Sequence, residues 1–360
     1  MNPKIQFRPI SHSWVAMHPQ PQGVIQFIGG AFFGTFFPML WYQHFLKSLF
    51  DRRYTLVLLP FKFTFNHYRE VFFLLREQYS IIPELVERAG GKHDIYIEPS
   101  NYYWCGHSIG CKYVTLLEGF GALPENKAAR AGFIREIVSS DPARPYTEAQ
   151  IQAIVADINY LIVGLRQEIA FSEARVNRCL QEDPSPSAKD SHATTTEDFA
   201  GIFIKNQISL LLAPDNSATA SAIKPNALAY LIDRLGLGVN PSPKQTKTLM
   251  QKGDLFNLMG LICFASDKVA NVTCNWFIDL FKKPTFARRD RLEGGHLKLL
   301  GLQVGNSVLN PFNRPWVESM ATRNDRVEAP VLKLLQKLRQ FQQEQLHLSN
   351  QTSAEVLQKA

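Results

Sequence analysis

The stretch Trp104-Cys105-Gly106-His107-Ser108-Ile109-Gly110-Cys111 decides how the rest of the chain is interpreted. Its centre, Gly106 to Gly110, reads G-x-S-x-G, the pattern of a sharp turn from a strand into a helix that exposes a serine above a sheet. Glycines on both sides of Ser108 remove the Cβ atoms that would collide at such a turn. Because the pentapeptide also occurs by chance in glycine-containing loops, its meaning depends on the partners that the rest of the chain supplies.

The segments around this stretch alternate between strand and helix patterns. Before it and leading into it, strands are predicted at 24–28, 54–59, 95–97 and 102–105, and helices at 39–50 and 68–88, with Pro83 as a candidate break point. Beyond the motif, helices are predicted at 112–118, 147–181, 227–235 and 271–283, and strands at 207–213 and 258–264. Such alternation builds a mostly parallel sheet with helices on both faces, so the fold class is α/β.

Composition divides the chain into a core, an insertion and two terminal segments. Residues 1–22 are rich in proline and are expected to form an extension with one short edge strand at 14–17. Residues 23–119 and 206–325 form the two parts of the core, and 120–205 form a helical lid or cap insertion with a mobile loop near 182–197. Residues 326–360 form an amphipathic helix and a polar tail.

The chain has 360 residues, of which 45% are hydrophobic, enough for a large buried core. The uncharged stretch 23–42 is long enough to span a bilayer, but four glycines and Pro38 interrupt it, so a buried strand is the better interpretation. The amino terminus lacks an apolar signal core. We therefore expect no signal peptide, no transmembrane segment, and a cytoplasmic or plastid stroma-like compartment.

Charge and cysteine content narrow the partners further. Five cysteines without a C-x-x-C pair predict reduced thiols and no zinc site, and no other metal or cofactor is expected. No basic stretch carries the interleaved aromatics of a nucleic-acid module. The net charge of +7 comes partly from a basic cluster formed by Lys282, Lys283, Arg288, Arg289 and Arg291. This cluster is either a solvated face or a peripheral contact with an anionic membrane or an acidic partner.

A serine hydroxyl becomes a strong nucleophile only when a neighbouring base accepts its proton and a carboxylate orients that base. In proteins with this turn, the acid follows the serine along the chain and the histidine follows the acid. The partners of Ser108 should therefore lie after it in that order. His107 points away from the serine within the turn, His192 lies in the predicted mobile loop, and His347 lies near the end of the terminal helix. His296, which follows two glycines, is the predicted base.

Asp267 is the predicted acid because it is the first carboxylate after the strand 258–264 and lies 29 residues before His296. Asp215, at the end of the preceding strand, is the alternative acid, and Asp254 ranks third. Most aspartates after strands are caps or turn formers. The catalytic interpretation is favoured because acid and histidine follow the motif in the required order and at strand ends.

An acyl intermediate also needs two N–H donors aimed at its oxyanion. One donor should be Ile109, and the other should be Gly30 or Ala31 in the glycine loop after the first core strand. Aromatic residues crowd this loop and indicate a pocket for an apolar acyl or prenyl group, although simple packing explains them about as well: Phe32, Phe33 and Phe36.

These motifs resemble the α/β-hydrolase superfamily from about Val24 to the region after His296. Residues 28–32 resemble the His-Gly-Gly-Gly oxyanion loop of esterases, with Ile28 where histidine is usual and Ala31 where a glycine is usual. Within the superfamily, the motifs are similar to those of an uncharacterised family of cyanobacterial and plastid proteins. The resemblance implies an α/β-hydrolase fold with a lid and leaves the substrate open.

The sequence predicts a serine hydrolase that cleaves a carboxylic ester or thioester through an acyl-enzyme. One alternative is a catalytically inactive protein that keeps the hydrolase fold for binding or assembly. Another is an acyltransferase that uses the same three residues with an alcohol as acceptor.

Overall fold

A central sheet of eight strands organises the computed structural model, which describes residues 3–62, 64–90, 93–182, 203–204, 207–216, 238–253, 257–285 and 288–359. The strands are β1 (Arg8–Ile10), β2 (Ser13–Ala16), β3 (Gly23–Ile28), β4 (Tyr54–Leu58), β5 (Tyr102–His107), β6 (Ser209–Leu212), β7 (Met259–Phe264) and β8 (Arg289–Leu292). Their order in space is β1-β2-β4-β3-β5-β6-β7-β8. The strands from β4 to β8 in this order pair in parallel, and β1 and β2 are antiparallel to their neighbours.

The inner strands are buried along their whole length, as strands are when helices cover both faces of a parallel sheet. β3, β4, β5 and β7 consist mostly of apolar or aromatic residues, which explains why all four were predicted as strands from the sequence. Their carboxyl ends meet at one edge, where ligands bind in open α/β sheets. The predicted α/β-hydrolase fold is confirmed.

Helices connect and flank these strands. Their bounds are Ala31–Thr35, Pro38–Trp41, Gln43–Asp51, His67–Ala89, His93–Ile97, Ile109–Phe120, Lys127–Ser139, Glu148–Glu182, Pro243–Lys252, Asn271–Asn275, Met320–Arg323 and Ala329–Lys359, with π-helical segments at Trp276–Phe281 and Asn324–Glu328. None of the helices in the described part of the chain combines the length and hydropathy needed to cross a bilayer.

A second, smaller sheet follows the central one along the chain. Its strands are β9 (Leu302–Val304), β10 (Ser307–Leu309) and β11 (Val317–Ser319), all antiparallel and in the order β11-β10-β9. This sheet was not predicted, because strands of three residues are too short to establish an alternating pattern.

Three local predictions are wrong. The strand predicted at 14–17 is present as β2, but it is not an edge strand, because β2 pairs with both β1 and β4. Residues 95–97 lie in the helix His93–Ile97 rather than in a strand, because a three-residue apolar run fits either element. Pro83 does not break its helix, which continues from His67 to Ala89.

The segment 120–205 contains two helices, Lys127–Ser139 and Glu148–Glu182. The longer one packs along the helix His67–Ala89, where Arg69 pairs with Asp157 at 2.7 Å and Arg76 with Glu168 at 3.2 Å. Its assignment as a lid, like the other domain boundaries, stays a prediction. Residues 183–197 of the predicted mobile loop and the whole of the predicted helix 227–235 lie outside the described residues.

Candidate active site

Ser108 lies at the turn between β5 and the helix Ile109–Phe120, which we name the elbow helix. Its backbone has φ 57° and ψ −123°, a conformation that non-glycine residues rarely adopt. Backbone hydrogen bonds hold it there: its N–H donates to Leu212 at 3.1 Å, and its carbonyl accepts from Cys111 at 3.0 Å and Asp215 at 3.1 Å. The serine is 8% exposed. The turn therefore has the geometry that G-x-S-x-G predicts.

The two motif glycines allow the backbone to pack closely around this turn. A Cβ atom on Gly106 would lie 2.7 Å from the backbone nitrogen of Cys111, and one on Gly110 would collide with the carbonyl oxygen of Ile28. Because both obstacles are backbone atoms, neither can move aside without displacing the sheet or the elbow helix.

We expect Gly110→Ala to lower the free energy of unfolding by about 1–3 kcal/mol or more, because the new methyl group would overlap the backbone of β3. Gly132→Ala is the matched control, since Gly132 lies in a helix with open space around it, and alanine there should raise stability by about 0.5–1 kcal/mol. Urea unfolding of both variants measures the difference. An unchanged unfolding midpoint for Gly110→Ala would contradict the packing described here.

His296 and Asp267 form a hydrogen-bonded row with the serine. The Nε2 atom of His296 lies 2.8 Å from Oγ of Ser108, and its Nδ1 lies 2.8 Å from Oδ2 of Asp267. The turn after β7 carries Asp267, and the loop after β8 carries His296. Both elements end at the same sheet edge as β5, which is why residues so far apart in sequence meet.

Asp267 is held as an anion. Its Oδ1 accepts hydrogen bonds from the backbone N–H groups of Val269 and Ala270, each at 2.8 Å. Burial by itself would raise the pKa of Asp267, but the hydrogen bonds from His296 and from these two amides outweigh burial and lower the pKa below its ordinary value. An ionised carboxylate at this position orients the imidazole so that Nδ1 carries the proton and Nε2 faces Ser108 with its lone pair.

This lowered pKa predicts a pH-dependent contribution to stability. A carboxylate with a lower pKa in the folded than in the unfolded state stabilises the fold above the unfolded pKa and loses that effect as pH falls through the folded pKa. The unfolding free energy of wild type should therefore exceed that of Asp267→Asn most near neutral pH, with the gap shrinking below about pH 4. Urea unfolding across this range measures the gap, and a gap independent of pH would contradict the prediction.

The candidate oxyanion donors lie at the starts of two helices. Ile109 and Ala31 are the first residues of their helices, where backbone N–H groups have no carbonyl partner within the helix. Gly30 differs, because its N–H donates to the hydroxyl of Tyr42 at 2.8 Å. Of the two predicted alternatives in the glycine loop, the structure thus favours Ala31. The loop lies against the nucleophile, since a Cβ on Gly30 would be 3.3 Å from Cβ of Ser108.

Polar side chains from the second sheet and its neighbourhood hold the loop that follows His296. Asn310 donates to the carbonyl oxygens of Leu297 and Leu300, each at 2.8 Å. The fully buried Arg323 also donates to Leu300 at 3.0 Å, and Lys298 forms a buried ion pair of 2.6 Å with Glu318 on β11. These contacts explain how a chain segment without regular structure can carry a positioned base.

Sequence reasoning missed Tyr42 and assigned no role to His107. His107 makes no hydrogen bond to Ser108 Oγ, but it packs beside His296, with ring centroids 5.4 Å apart. Its Nδ1 lies 2.8 Å from the Tyr42 hydroxyl, and its Nε2 lies 3.0 Å from the backbone oxygen of His296. No sequence signal links Tyr42 to the motif, because the two meet only when the helical segment after β3 folds back over β5.

Asp267 is the carboxylate that lies within hydrogen-bond distance of His296 Nδ1. Asp215 follows β6, and its backbone N–H bonds to Ser108, while Asp267 occupies the position beside the imidazole. Asp254 lies outside the described residues. The structure therefore places Asp267, rather than the alternative acid Asp215, beside the imidazole of His296.

The prediction of five reduced thiols is wrong for one pair. Cys263 on β7 and Cys274 on the helix Asn271–Asn275 form a disulfide, while Cys105, Cys111 and Cys179 are free. The fold brings the Cα atoms of these two cysteines within 6.2 Å of each other, so a pair without C-x-x-C spacing can still bond. The disulfide spans the turn that carries Asp267.

The predicted apolar residues lie beside Ala31 on the protein surface. Phe32 is 55% and Phe36 is 47% exposed, whereas Phe33 is half-buried against Trp41 and Phe312, with ring centroids 5.2 and 5.0 Å apart. In the described ranges, no group of three or more histidine, cysteine, aspartate or glutamate side chains is arranged to hold a metal ion.

The basic cluster has contacts of its own within the chain. Arg288 stacks on the ring of Phe341 at 4.8 Å, and Arg291 donates to Asn275 at 3.0 Å. Lys283 lies 5.9 Å from the ring centre of Phe281. Arg289 begins β8 and therefore lies at the amino ends of the parallel strands, opposite the edge that carries Ser108. Contact with a membrane or an acidic partner stays a prediction.

Comparisons with known proteins give one family match and weak structural similarities. A model described as "Protein of unknown function (DUF1350)" matches residues 6–179. A search of curated proteins found no match. Esterase B from Lactobacillus rhamnosis, inhibited by a C4-C4 SN3 tributyrin phosphonate, has 10% identity and a TM-score of 0.45 over 94% of this chain and 83% of that chain. The thioesterase domain from the curacin biosynthetic pathway has 14% identity and a TM-score of 0.33 over 82% of this chain and 94% of that chain.

The resemblance to cyanobacterial and plastid proteins stays a prediction. The chain has an α/β-hydrolase fold, matches a family of unknown function over residues 6–179, and brings Ser108, His296 and Asp267 into one hydrogen-bonded row.

Proposed function

We propose that this protein is a serine hydrolase that cleaves a carboxylic ester or thioester through an acyl-enzyme. The observation that carries the proposal is the row of two 2.8 Å contacts from Asp267 through His296 to Ser108, with the serine in the strained backbone conformation of a nucleophile elbow. A structural role for the three residues does not require a serine with positive φ at the end of a buried strand.

The first half of the reaction forms the acyl-enzyme. Oγ of Ser108 attacks the acyl carbon while its proton moves to Nε2 of His296. The resulting oxyanion accepts hydrogen bonds from the N–H groups of Ile109 and Ala31. When the bond from the acyl carbon to the leaving group breaks, His296 gives its proton to the departing alkoxide or thiolate, which leaves as an alcohol or thiol.

The second half regenerates the enzyme with water. His296 accepts a proton from a water molecule, whose oxygen attacks the acyl carbon of the ester on Ser108. The second oxyanion uses the same two N–H donors. His296 then returns the proton to Oγ of Ser108, and the carboxylic acid leaves. In both halves, the Asp267 carboxylate stabilises the imidazolium form of His296 and remains ionised itself.

The geometry supports this interpretation over a catalytically inactive binding or assembly protein. An inactive descendant would be favoured by a His296 beyond hydrogen-bond reach of Ser108 and by the lack of a carboxylate beside the imidazole. Both distances are instead 2.8 Å. The exposed aromatic rings of Phe32 and Phe36 adjoin the proposed oxyanion donor Ala31 and favour an apolar acyl or prenyl group on the substrate.

Reaction with a fluorophosphonate probe tests the proposal. The probe should phosphonylate wild-type protein at Ser108, with the modified peptide identified by mass spectrometry, because its tetrahedral adduct imitates the acyl-transfer intermediate. Ser266→Ala is a matched control, since Ser266 is an exposed serine beside Asp267 and should not alter labelling. An unlabelled wild type, or a label elsewhere, would refute the catalytic role of Ser108.

Product analysis separates hydrolysis from acyl transfer. With an ester substrate and a competing alcohol, a hydrolase should release mainly the free acid, whereas an acyltransferase should form mainly the new ester. A dominant new ester would show that the acyl acceptor is an alcohol rather than water. The proposed role of Ser108 would be unchanged.

A further inference from the structure

We propose that Tyr42 and His107 are positioning residues. They connect the glycine loop at residues 28–32, named the oxyanion loop below, to the loop that carries the base His296. This inference rests on the proposed function. Three hydrogen bonds form the connection: Gly30 N–H to Tyr42 Oη at 2.8 Å, Tyr42 Oη to His107 Nδ1 at 2.8 Å, and His107 Nε2 to the carbonyl oxygen of His296 at 3.0 Å.

The carbonyl at one end and the amide at the other determine the direction of every bond. A carbonyl oxygen can only accept, so Nε2 of His107 must carry the hydrogen and donate it to His296. In neutral imidazole, Nδ1 then has a lone pair and accepts from the Tyr42 hydroxyl. The hydroxyl oxygen in turn accepts from the N–H of Gly30. Every hydrogen-bond donor in this row therefore has an acceptor, and every acceptor has a donor.

Burial keeps this arrangement in a single protonation state. Both Tyr42 and His107 are fully buried. Desolvation and the nearby His296 lower the pKa of His107 to about 3. Its ring therefore stays neutral at neutral pH. Desolvation also raises the pKa of Tyr42, which keeps its hydroxyl protonated. Two neighbouring histidines can thus differ in function: His296 is the proposed base, while His107 remains a neutral link.

Packing leaves the link little freedom. The Tyr42 ring contacts Phe27 on β3 edge-on, with centroids 4.8 Å apart, and the ring of His107, with centroids 5.5 Å apart. A Cβ on Gly29 would lie 3.1 Å from the Tyr42 ring, so the tyrosine also touches the first glycine of the oxyanion loop. Tyr42 therefore fixes the backbone immediately before Ala31, and His107 fixes the backbone of His296.

The expected kinetic consequence is a loss of transition-state stabilisation without a loss of substrate binding. Without the Tyr42 hydroxyl, the N–H of Gly30 loses its acceptor, so the backbone that carries the Ala31 donor is held less firmly at the oxyanion position. Donors aimed at the oxyanion act mainly in the transition state. Tyr42→Phe should lower kcat between about tenfold and a hundredfold, with KM changed less than about twofold.

A second buried tyrosine, which lies on the same strand as His107, provides the control. Tyr102 is equally buried and its hydroxyl donates to the carbonyl of Tyr96 at 2.7 Å, but it lies at the amino end of β5, away from Ser108. Tyr102→Phe therefore also removes one buried hydroxyl, and it should leave kcat unchanged. A kcat loss in Tyr42→Phe no larger than in Tyr102→Phe, or a loss that appears in KM instead, would overturn the proposal.

Two variants of His107 test the other half of the link and apply even if Tyr42→Phe does not fold. Glutamine keeps one donor and one acceptor, so His107→Gln should recover part of the kcat that His107→Leu loses. Equal kcat values for these two variants would overturn the proposal. Histidine ¹⁵N NMR gives a readout independent of turnover: the signals of His107 should be those of the neutral ring with hydrogen on Nε2, and a hydrogen on Nδ1 would overturn the proposal.

The outcome for wild type separates this proposal from the proposed function. If a fluorophosphonate does not label wild-type protein, the proposed function fails, and the positioning role fails with it. If wild type is labelled at Ser108 but Tyr42→Phe is labelled at the same rate as Tyr102→Phe, only the positioning role fails.

Discussion

Ser108→Ala is expected to abolish covalent labelling and to reduce ester hydrolysis by about 10⁴-fold or more, because it removes the Oγ atom that is the proposed nucleophile. Alanine removes only Oγ, and the backbone bonds of residue 108 to Leu212, Cys111 and Asp215 do not involve that atom. The fold should therefore persist while the chemistry stops. Hydrolysis of a series of aryl esters of increasing acyl length measures the loss.

Ser266→Ala provides the comparison for this loss, since it alters an exposed serine beside the site and should retain wild-type rates. Hydrolysis by Ser108→Ala at wild-type rates would show that the ester is cleaved elsewhere on the protein. An inactive wild type with an intact fold would instead support the binding or assembly alternative.

Asp267→Asn is expected to lower kcat by about 10⁴-fold with the fold retained. An amide at this position donates a hydrogen to Nδ1 of His296, which moves the remaining imidazole hydrogen to Nε2. The Nε2 atom then faces Ser108 as a donor and cannot accept its proton. The loss therefore comes from the wrong tautomer, although asparagine and aspartate are nearly the same size.

Asp215→Asn tests the alternative acid under the same conditions. Asp215 donates its backbone N–H to the carbonyl of Ser108, a bond that asparagine preserves, and Asp267 lies beside the imidazole of His296. We expect Asp215→Asn to lose far less activity than Asp267→Asn. If Asp215→Asn were the more damaging of the two, the assignment of the acid would have to be reversed.

The strands of the core were predictable because each of them carries its signal locally. β3, β4, β5 and β7 are short, mostly apolar runs that are buried on both faces, and a buried parallel strand has this composition wherever it lies in the sheet. β1 was missed because its three residues have no clear pattern, and only pairing with β2 makes it a strand.

The helices show where local signals mislead. Pro83 should disfavour the interior of a helix, yet the helix His67–Ala89 continues through it. Its packing against Glu148–Glu182, supported by ion pairs such as Arg69 with Asp157, opposes the local cost. At 95–97, a short apolar run was interpreted as a strand and is a helical turn, because nothing in three residues separates the two periods.

The candidate site was predicted in part because its order along the chain carries information. Ser108, Asp267 and His296 were selected by the motif, by position after strands and by their order, and the structure brings the side chains within hydrogen-bond distance. Their catalytic roles stay a prediction. The choice between Gly30 and Ala31 needed the structure, because it depends on a hydroxyl that reaches Gly30 from Tyr42.

The sequence by itself therefore determined the fold class, the nucleophile elbow around Ser108 and the candidates for acid and base, because each depends on residue type, spacing and order. Only the tertiary structure decided that Asp267 rather than Asp215 faces His296, that Cys263 bonds to Cys274, and that His107 lies within the site. These facts depend on which strand ends and loops become neighbours in space. The G-x-S-x-G turn could be recognised from five residues, but what surrounds it is supplied by segments distant along the chain.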